Sequence, residues 1–410
     1  MSNFHEVFIQ ILILLAISIS VIAVSKLAKK PYSIALVIVG LILGVTNIPI
    51  IEEAEHFITQ SDVFQIIVIS LFLPILLGDA TLKLPFTHLK EERGPVIALA
   101  LGGTLISFLL IGLGSHYLLS IPLVMAFTFA SLMSATDPIS VISIFKSLGV
   151  PKRLVTIIEG ESLLNDGVAV VLFQISTLYL ITYLEMGWKG LGLGLLLFMK
   201  FSLGGVLVGS ILGFVFSQLL TFYDDYPIEI AFSIILFFGS YFIAEHFHVS
   251  GVIAVVVSGL IFGNYGAKIG MSETTKTNIN SFWEVITLIA NSLIFLMIGL
   301  EIKNIDLTGQ WKAITLSIII VLISRTIALY ISLGFIKNFP EKYKMILNWG
   351  GLKGSLSIAL ALSLPHSFSG RETILALTFS VVLFSLLFQG LTISSLINKL
   401  GVNQATKSAK

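Results

Sequence analysis

The chain has no cysteine, and only 11% of its 410 residues are charged. Without cysteine there is no disulfide framework, no thiol nucleophile and no thiolate metal site. A soluble domain carries about 25% charged residues, so water is not the main solvent of this chain. Its net charge of +1 removes the electrostatic case for a nucleic-acid partner. Apolar sequence is abundant instead, with 56% of residues hydrophobic. In hydrocarbon every backbone N–H and C=O must be satisfied within the chain, and long apolar runs do this as helices. The first run, Val7 to Ser25, follows Glu6 and precedes Lys26, Lys29 and Lys30. A cleavable signal peptide has its positive charge on the other flank, so this run is read as a membrane helix.

Runs of about 20 apolar residues cross a bilayer. They recur near 6–25, 32–50, 62–82, 95–118, 121–147, 153–184, 190–221, 227–246, 249–265, 282–302, 311–336, 343–364 and 372–398. The expected fold is an all-α polytopic membrane protein with about thirteen spans. One membrane domain is expected over 1–400, with a short cytoplasmic tail at 401–410 and no large regulatory tail. With the N-terminus outside, Lys and Arg fall seventeen to four in favour of the inner loops. Lys200, Arg325 and Lys353 lie inside spans. Basic loops stay cytoplasmic, which puts the N-terminus out and the C-terminus in. The loop from Phe222 to Pro227 is inner yet carries Asp224 and Asp225, but acids contribute little to that rule.

An odd count lets two six-helix repeats, 1–185 and 227–400, run inverted about a linker helix at 190–221. The fifth span is interrupted at Asp137-Pro138 and the twelfth at Gly350-Gly351-Leu352-Lys353-Gly354. These are the fifth helices of the two repeats, and broken helices at matching places are a transporter pattern. Gly205, Gly209 and Gly213 form one stripe, as expected where helices pack closely.

A charge at mid-bilayer is expensive and marks a functional site. The candidates are Asp79, Asp137, Glu161, Asp166, Arg325 and Lys353. Pro138 has no amide to donate and clashes with the carbonyl of Ser134. That frees neighbouring carbonyls, Thr136 among them, beside the Asp137 carboxylate, and such oxygens suit a small hard cation. A plain proline kink with a solvated Asp is the bland alternative. In Glu161-Ser162-Leu163-Leu164-Asn165-Asp166, Ser162 and Asp166 share one helix face, and Glu161 and Asn165 the next. Asp166 is the first choice for the exchanging carboxylate. Arg325 requires a carboxylate partner, and Glu161 at similar depth makes a structural pair. Lys353 either repels cations or offsets the negative ends of broken helices. For Asp79, a functional role and an interfacial cap both stand.

Thr136-Asp137-Pro138, the Gly160-Glu161-Ser162 to Asn165-Asp166-Gly167 stretch and Gly350–Gly354 together resemble the sodium/proton exchanger branch of the monovalent cation:proton antiporters. The resemblance covers essentially the whole chain. It implies crossed broken helices, a homodimer and alternating access by a moving core domain. It also implies a Na+ site made by the Thr136 carbonyl, Asp137, Ser162, Asp166 and a helix-3 acid, here Asp79. Glu161 with Arg325 matches the family's core ion pair, and no cofactor is implied. The Asn165-Asp166 order looks like the electroneutral branch, since electrogenic relatives carry two acids there. Lys353 stands where exchangers often have Arg, and Asp79 where some have Glu. The implied activity is secondary exchange of Na+, or else Li+ or K+, for H+ across the cell membrane. Rival readings are an electrogenic cation/proton antiporter, a channel and an intramembrane aspartyl protease. Asp137 beside Pro138 and the buried Arg325 have no part in protease chemistry.

Overall fold

The computed structural model describes residues 2–28, 31–46, 70–301, 309–365 and 367–402, and all regular structure among them is helical. Besides two short helices at Phe86–Glu91 and Leu180–Glu185, the helices are α1 (Ser2–Leu27), α2 (Tyr32–Val45), α3 (Leu73–Lys83), α4 (Arg93–Leu119), α5 (Leu123–Leu132), α6 (Ile139–Ser147) and α7 (Lys152–Leu178). There follow α8 (Trp188–Phe222), α9 (Tyr226–His246), α10 (Gly251–Ile269), α11 (Glu273–Glu301) and α12 (Trp311–Gly334). The last are α13 (Glu341–Gly350), α14 (Ser355–Leu362) and α15 (Arg371–Leu400). Among the described residues eight elements are long and apolar enough to cross a bilayer, counting Glu341–Leu362 with its interruption as one. Parts of the expected spans 32–50 and 62–82 lie outside the described residues.

Proline sets many of the boundaries. α2, α5, α6, α7 and α13 each begin directly after one, namely Pro31, Pro122, Pro138, Pro151 and Pro340. The ring fixes φ for a helix start and disfavours helix in the residue before it. Where no proline intervenes, hydropathy understates helix length. α11 starts at Glu273 rather than at the expected 282, because its polar first turns leave the apolar layer as helix. The Ser272 hydroxyl accepts from the Thr275 N–H at that start, as a capping side chain does.

Helix packing follows the small residues. A Cβ on Gly40 of α2 would lie 2.9 Å from Gly299 Cα of α11, so the two backbones touch there. The stripe Gly205, Gly209, Gly213 on α8 rests against Ser250, Ala254 and Ser258 in and beside α10, as the spacing predicts. The opposite face of α8 points outward, with Leu191, Leu195, Leu196, Leu203, Leu207 and Ile211 exposed. Such an apolar surface belongs in lipid. α7 is the opposite case: Thr156, Gly160, Glu161, Asn165, Val171 and Ser176 are all buried, and it packs on α5, α4, α8 and α10. A span carrying Glu161, Asn165 and Asp166 thus runs through the packed interior.

Candidate functional site

The two interrupted spans meet at their breaks. Residues 133–138 separate α5 from α6, and 351–354 separate α13 from α14. Backbone groups released from a helix in an apolar layer need other partners, and here each break supplies them to the other. The Asp137 N–H donates to the Leu352 carbonyl at 2.8 Å. Lys353 Nζ donates to the Ala135 carbonyl at 3.1 Å, and the Ser357 hydroxyl to the Leu132 carbonyl at 2.7 Å. From α7, the Ser162 hydroxyl donates to the Thr136 carbonyl, and Asn165 Nδ2 to Thr136 Oγ1 at 2.8 Å. α15 carries a π-helical turn at Ser385–Gln389, where Ser385 Oγ accepts from the Lys353 N–H at 3.0 Å.

The charges follow the helix ends. Asp137 sits at the N-terminus of α6, where its Oδ1 accepts from the Ile139 N–H at 2.9 Å. It also lies against the N-terminus of α14: a Cβ on Gly354 would come 2.7 Å from Asp137 Cγ. Two half-helices therefore aim their positive ends at one carboxylate. Lys353 answers the opposite pole, since its ammonium meets the carbonyl end that follows α5. Of the two roles open for Lys353, this geometry supports the offsetting of negative helix ends.

Below the breaks lies a cavity of about 790 Å³. Its floor includes Thr136, Asp137, Ser162, Asp166 and Gly354. Lys26, Lys83, Lys146 and Lys152, from the basic side of the sequence, also line it and are exposed. Asp166 has Asp137 and Lys353 as charged neighbours. Its Oδ1, like Asn165 Oδ1, is buried and has no hydrogen-bond partner. The floor thus gathers two carboxylates, a hydroxyl, a backbone carbonyl and unanswered oxygen acceptors. Such a set binds a small cation or a proton and has little use for an anion.

Glu161 and Arg325 stand apart from this floor. Arg325 Nη1 of α12 donates to Glu161 Oε1 of α7, and the two side chains are 10% and 1% exposed. Arg325 Nη2 also donates to the Leu347 carbonyl of α13 at 3.3 Å. Asp79 of α3 lines the same cavity as Asp137 and Asp166 and is 7% exposed. Its carboxylate is paired with Lys83, one turn on, at 2.8 Å.

The sequence reading missed Lys83, Ser357, Ser385, Gln389 and the α11 residues Glu284, Thr287 and Asn291, the last three of which line the cavity. The last three were readable as a signal. They are polar, lie in an apolar span and repeat at i, i+3 and i+7, which puts them on one helix face.

Comparison with known proteins agrees with the geometry. A profile of the family described as "Sodium/hydrogen exchanger, transmembrane" matches residues 12–399. The Na(+)/H(+) antiporter NhaH of Halobacillus aidingensis is 67% identical over 402 residues, covering 98% of this chain and 100% of the relative. The Na(+)/H(+) antiporter NhaG of Bacillus atrophaeus is 59% identical, covering 98% and 76%. Among solved structures, the sodium proton antiporter MjNhaP1 of Methanocaldococcus jannaschii superposes with a TM-score of 0.78 at 20% identity, over 97% of this chain and 99% of that one. That likeness concerns the fold.

Proposed function

The chain belongs to the sodium/hydrogen exchanger family of secondary transporters, and we propose that it exchanges Na+ for H+ across the cell membrane at the cavity floor. One observation carries this reading. Two carboxylates carried inside membrane spans, Asp137 and Asp166, line one cavity at the meeting of two broken helices. The floor supplies enough oxygen for one cation. When that cation departs, a proton on one of the two carboxylates replaces its charge.

The roles divide as follows. The N-termini of α6 and α14 answer the charge of Asp137, which anchors the site. Asp166 has no such helix ends and takes the proton when the cation leaves. Loading turns the Ser162 hydroxyl off the Thr136 carbonyl, so that both oxygens face the ion. Asp79 supplies a carboxylate from α3 in the same cavity. Asn165 has no titratable group, so one cation moves against one proton and the cycle is electroneutral.

The cavity opens on the basic side, so the conformation is inward-facing with the N-terminus outside. Alternating access then moves the two broken helices and their partner α7 against the rest. Repeats 1–185 and 227–400 are inverted about helix 190–221 within one domain, 1–400, and the working unit is a homodimer. Glu161 with Arg325 holds the moving part together and does not bind the ion.

The test is reconstituted protein in liposomes with an imposed pH gradient and external Na+, Li+ or K+ in turn. Na+ should collapse the gradient, and Asp166→Asn should abolish this while the protein stays folded. Robust pH-driven Na+ flux through Asp166→Asn would remove the assignment.

A further inference from the structure

We infer that Lys83 is a tethered competitor for the transported cation: its ammonium occupies Asp79 in the cavity wall, and an arriving cation displaces it. The inference rests on the exchange reading above. Lys83 Nζ lies 2.8 Å from Asp79 Oδ1 and 3.0 Å from Oδ2, so it sits in the fork of the carboxylate. A bare monovalent cation would take the same position. The ammonium is a single positive charge and stands in for that ion.

The surroundings fit a charge that comes and goes. The Asp79 side chain is 10% exposed and its partner 41%, so the acid is fixed in the wall while the amine reaches toward water. On the facing helix α11, Asn291 lines the cavity at 2% exposure, and its Oδ1 has no hydrogen-bond partner. That oxygen is a ligand without a donor. Glu284, also in the cavity wall and exposed, is close enough for its charge to act on Asp79. It offers the displaced ammonium a second carboxylate. Asp137 and Asp166 line the same cavity, so a cation there and the Lys83 ammonium share one enclosed space with Asp79. A lysine held there weakens the apparent affinity for the cation without touching the exchanging acid.

The experiment measures Na+-dependent collapse of a pH gradient in liposomes at one pH. The proteins are the parent, Lys83→Gln, Lys83→Arg, Asp79→Asn and the double variant Asp79→Asn/Lys83→Gln. Lys83→Gln should lower the Na+ KM about two- to fivefold, the scale of a partly exposed ion pair. Lys83→Arg, which keeps a tethered cation, should stay near the parent. In the Asp79→Asn background, removing Lys83 should no longer change KM, an outcome that a merely structural lysine would not produce. Lys83→Met serves the same purpose if the glutamine variant does not fold. An unchanged or raised KM in Lys83→Gln, or equal lowering in both backgrounds, overturns the inference. A parent without Na+-dependent exchange would refute the transport reading instead.

Discussion

Breaking the Glu161–Arg325 pair from either side should destabilise the protein, and the structure says which side hurts more. Removing one partner of a buried pair strands the other charge, at about 3–5 kcal/mol. Arg325→Leu belongs at the upper end of that range. It leaves Glu161, 1% exposed, with no counter-charge, and Glu161 Oε2 has no partner even in the parent. It also removes the donor to the Leu347 carbonyl and empties the space beside Gly351, where a Cβ would come 2.7 Å from Arg325 Nε. The break at 351–354 then loses its support, so transport should fall along with stability. Glu161→Gln belongs at the lower end, because an amide oxygen still accepts from Arg325 and the Leu347 contact survives. The double variant Glu161→Met/Arg325→Leu removes both charges, and well-packed apolar replacements of buried pairs are often neutral. It should recover most of the loss, with a coupling of about 3 kcal/mol in the cycle closed by the singles Glu161→Met and Arg325→Leu. Thermal melting of detergent-purified protein, followed by the monodisperse fraction on size-exclusion chromatography, reads the parent and all the variants side by side. Single variants that melt with the parent would refute the reasoning. So would a double variant whose loss equals the sum of the singles.

Gly354→Ala should abolish or sharply reduce exchange and also lower the melting temperature, because the new Cβ would be forced onto the Asp137 carboxylate and overpacking a buried site costs about 1–3 kcal/mol. Initial rates in liposomes check this, and a parent-like rate would show that the break has more room than its geometry gives. The one-for-one stoichiometry is tested by clamping the membrane potential at zero and then at a large negative value under fixed ion gradients. A potential is worth about 2.3 kcal/mol per charge per 100 mV, so an electroneutral cycle keeps its rate and a several-fold change would make Asp137 a second proton carrier.

The helical membrane fold was legible because its signal is physical and long-range. Twenty apolar residues have few other fates, and the bilayer allows little besides helix. Boundaries were less legible where the helix outlives the membrane. α11 begins nine residues before its apolar run, and nothing in hydropathy separates a polar helical turn from a polar loop. The two breaks were legible for a different reason. Pro138 and the run Gly350-Gly351-Leu352-Lys353-Gly354 leave backbone groups without helical partners, and such a defect inside an apolar span needs a compensating structure.

What compensates could not be read, because the partners are far apart in sequence. Thr136 is answered by Ser162 and Asn165, and Asp137 by Leu352. The Lys353 N–H is answered by Ser385. Ser385 and Gln389 carry no charge and resemble any small polar pair in an apolar helix. Only the meeting of the breaks turns them into a support. Lys83 shows the same limit from the other direction. By spacing alone, Asp79 and Lys83 are an ordinary i, i+4 pair worth a few tenths of a kcal/mol, and a basic residue near a span's inner end is what the charge rule expects. The cavity changes their meaning. An ion pair in the cavity of the transported ion is no longer a stabilising contact with a fixed value. It becomes one of two ways to neutralise the same carboxylate, and the concentration of the cation decides between them.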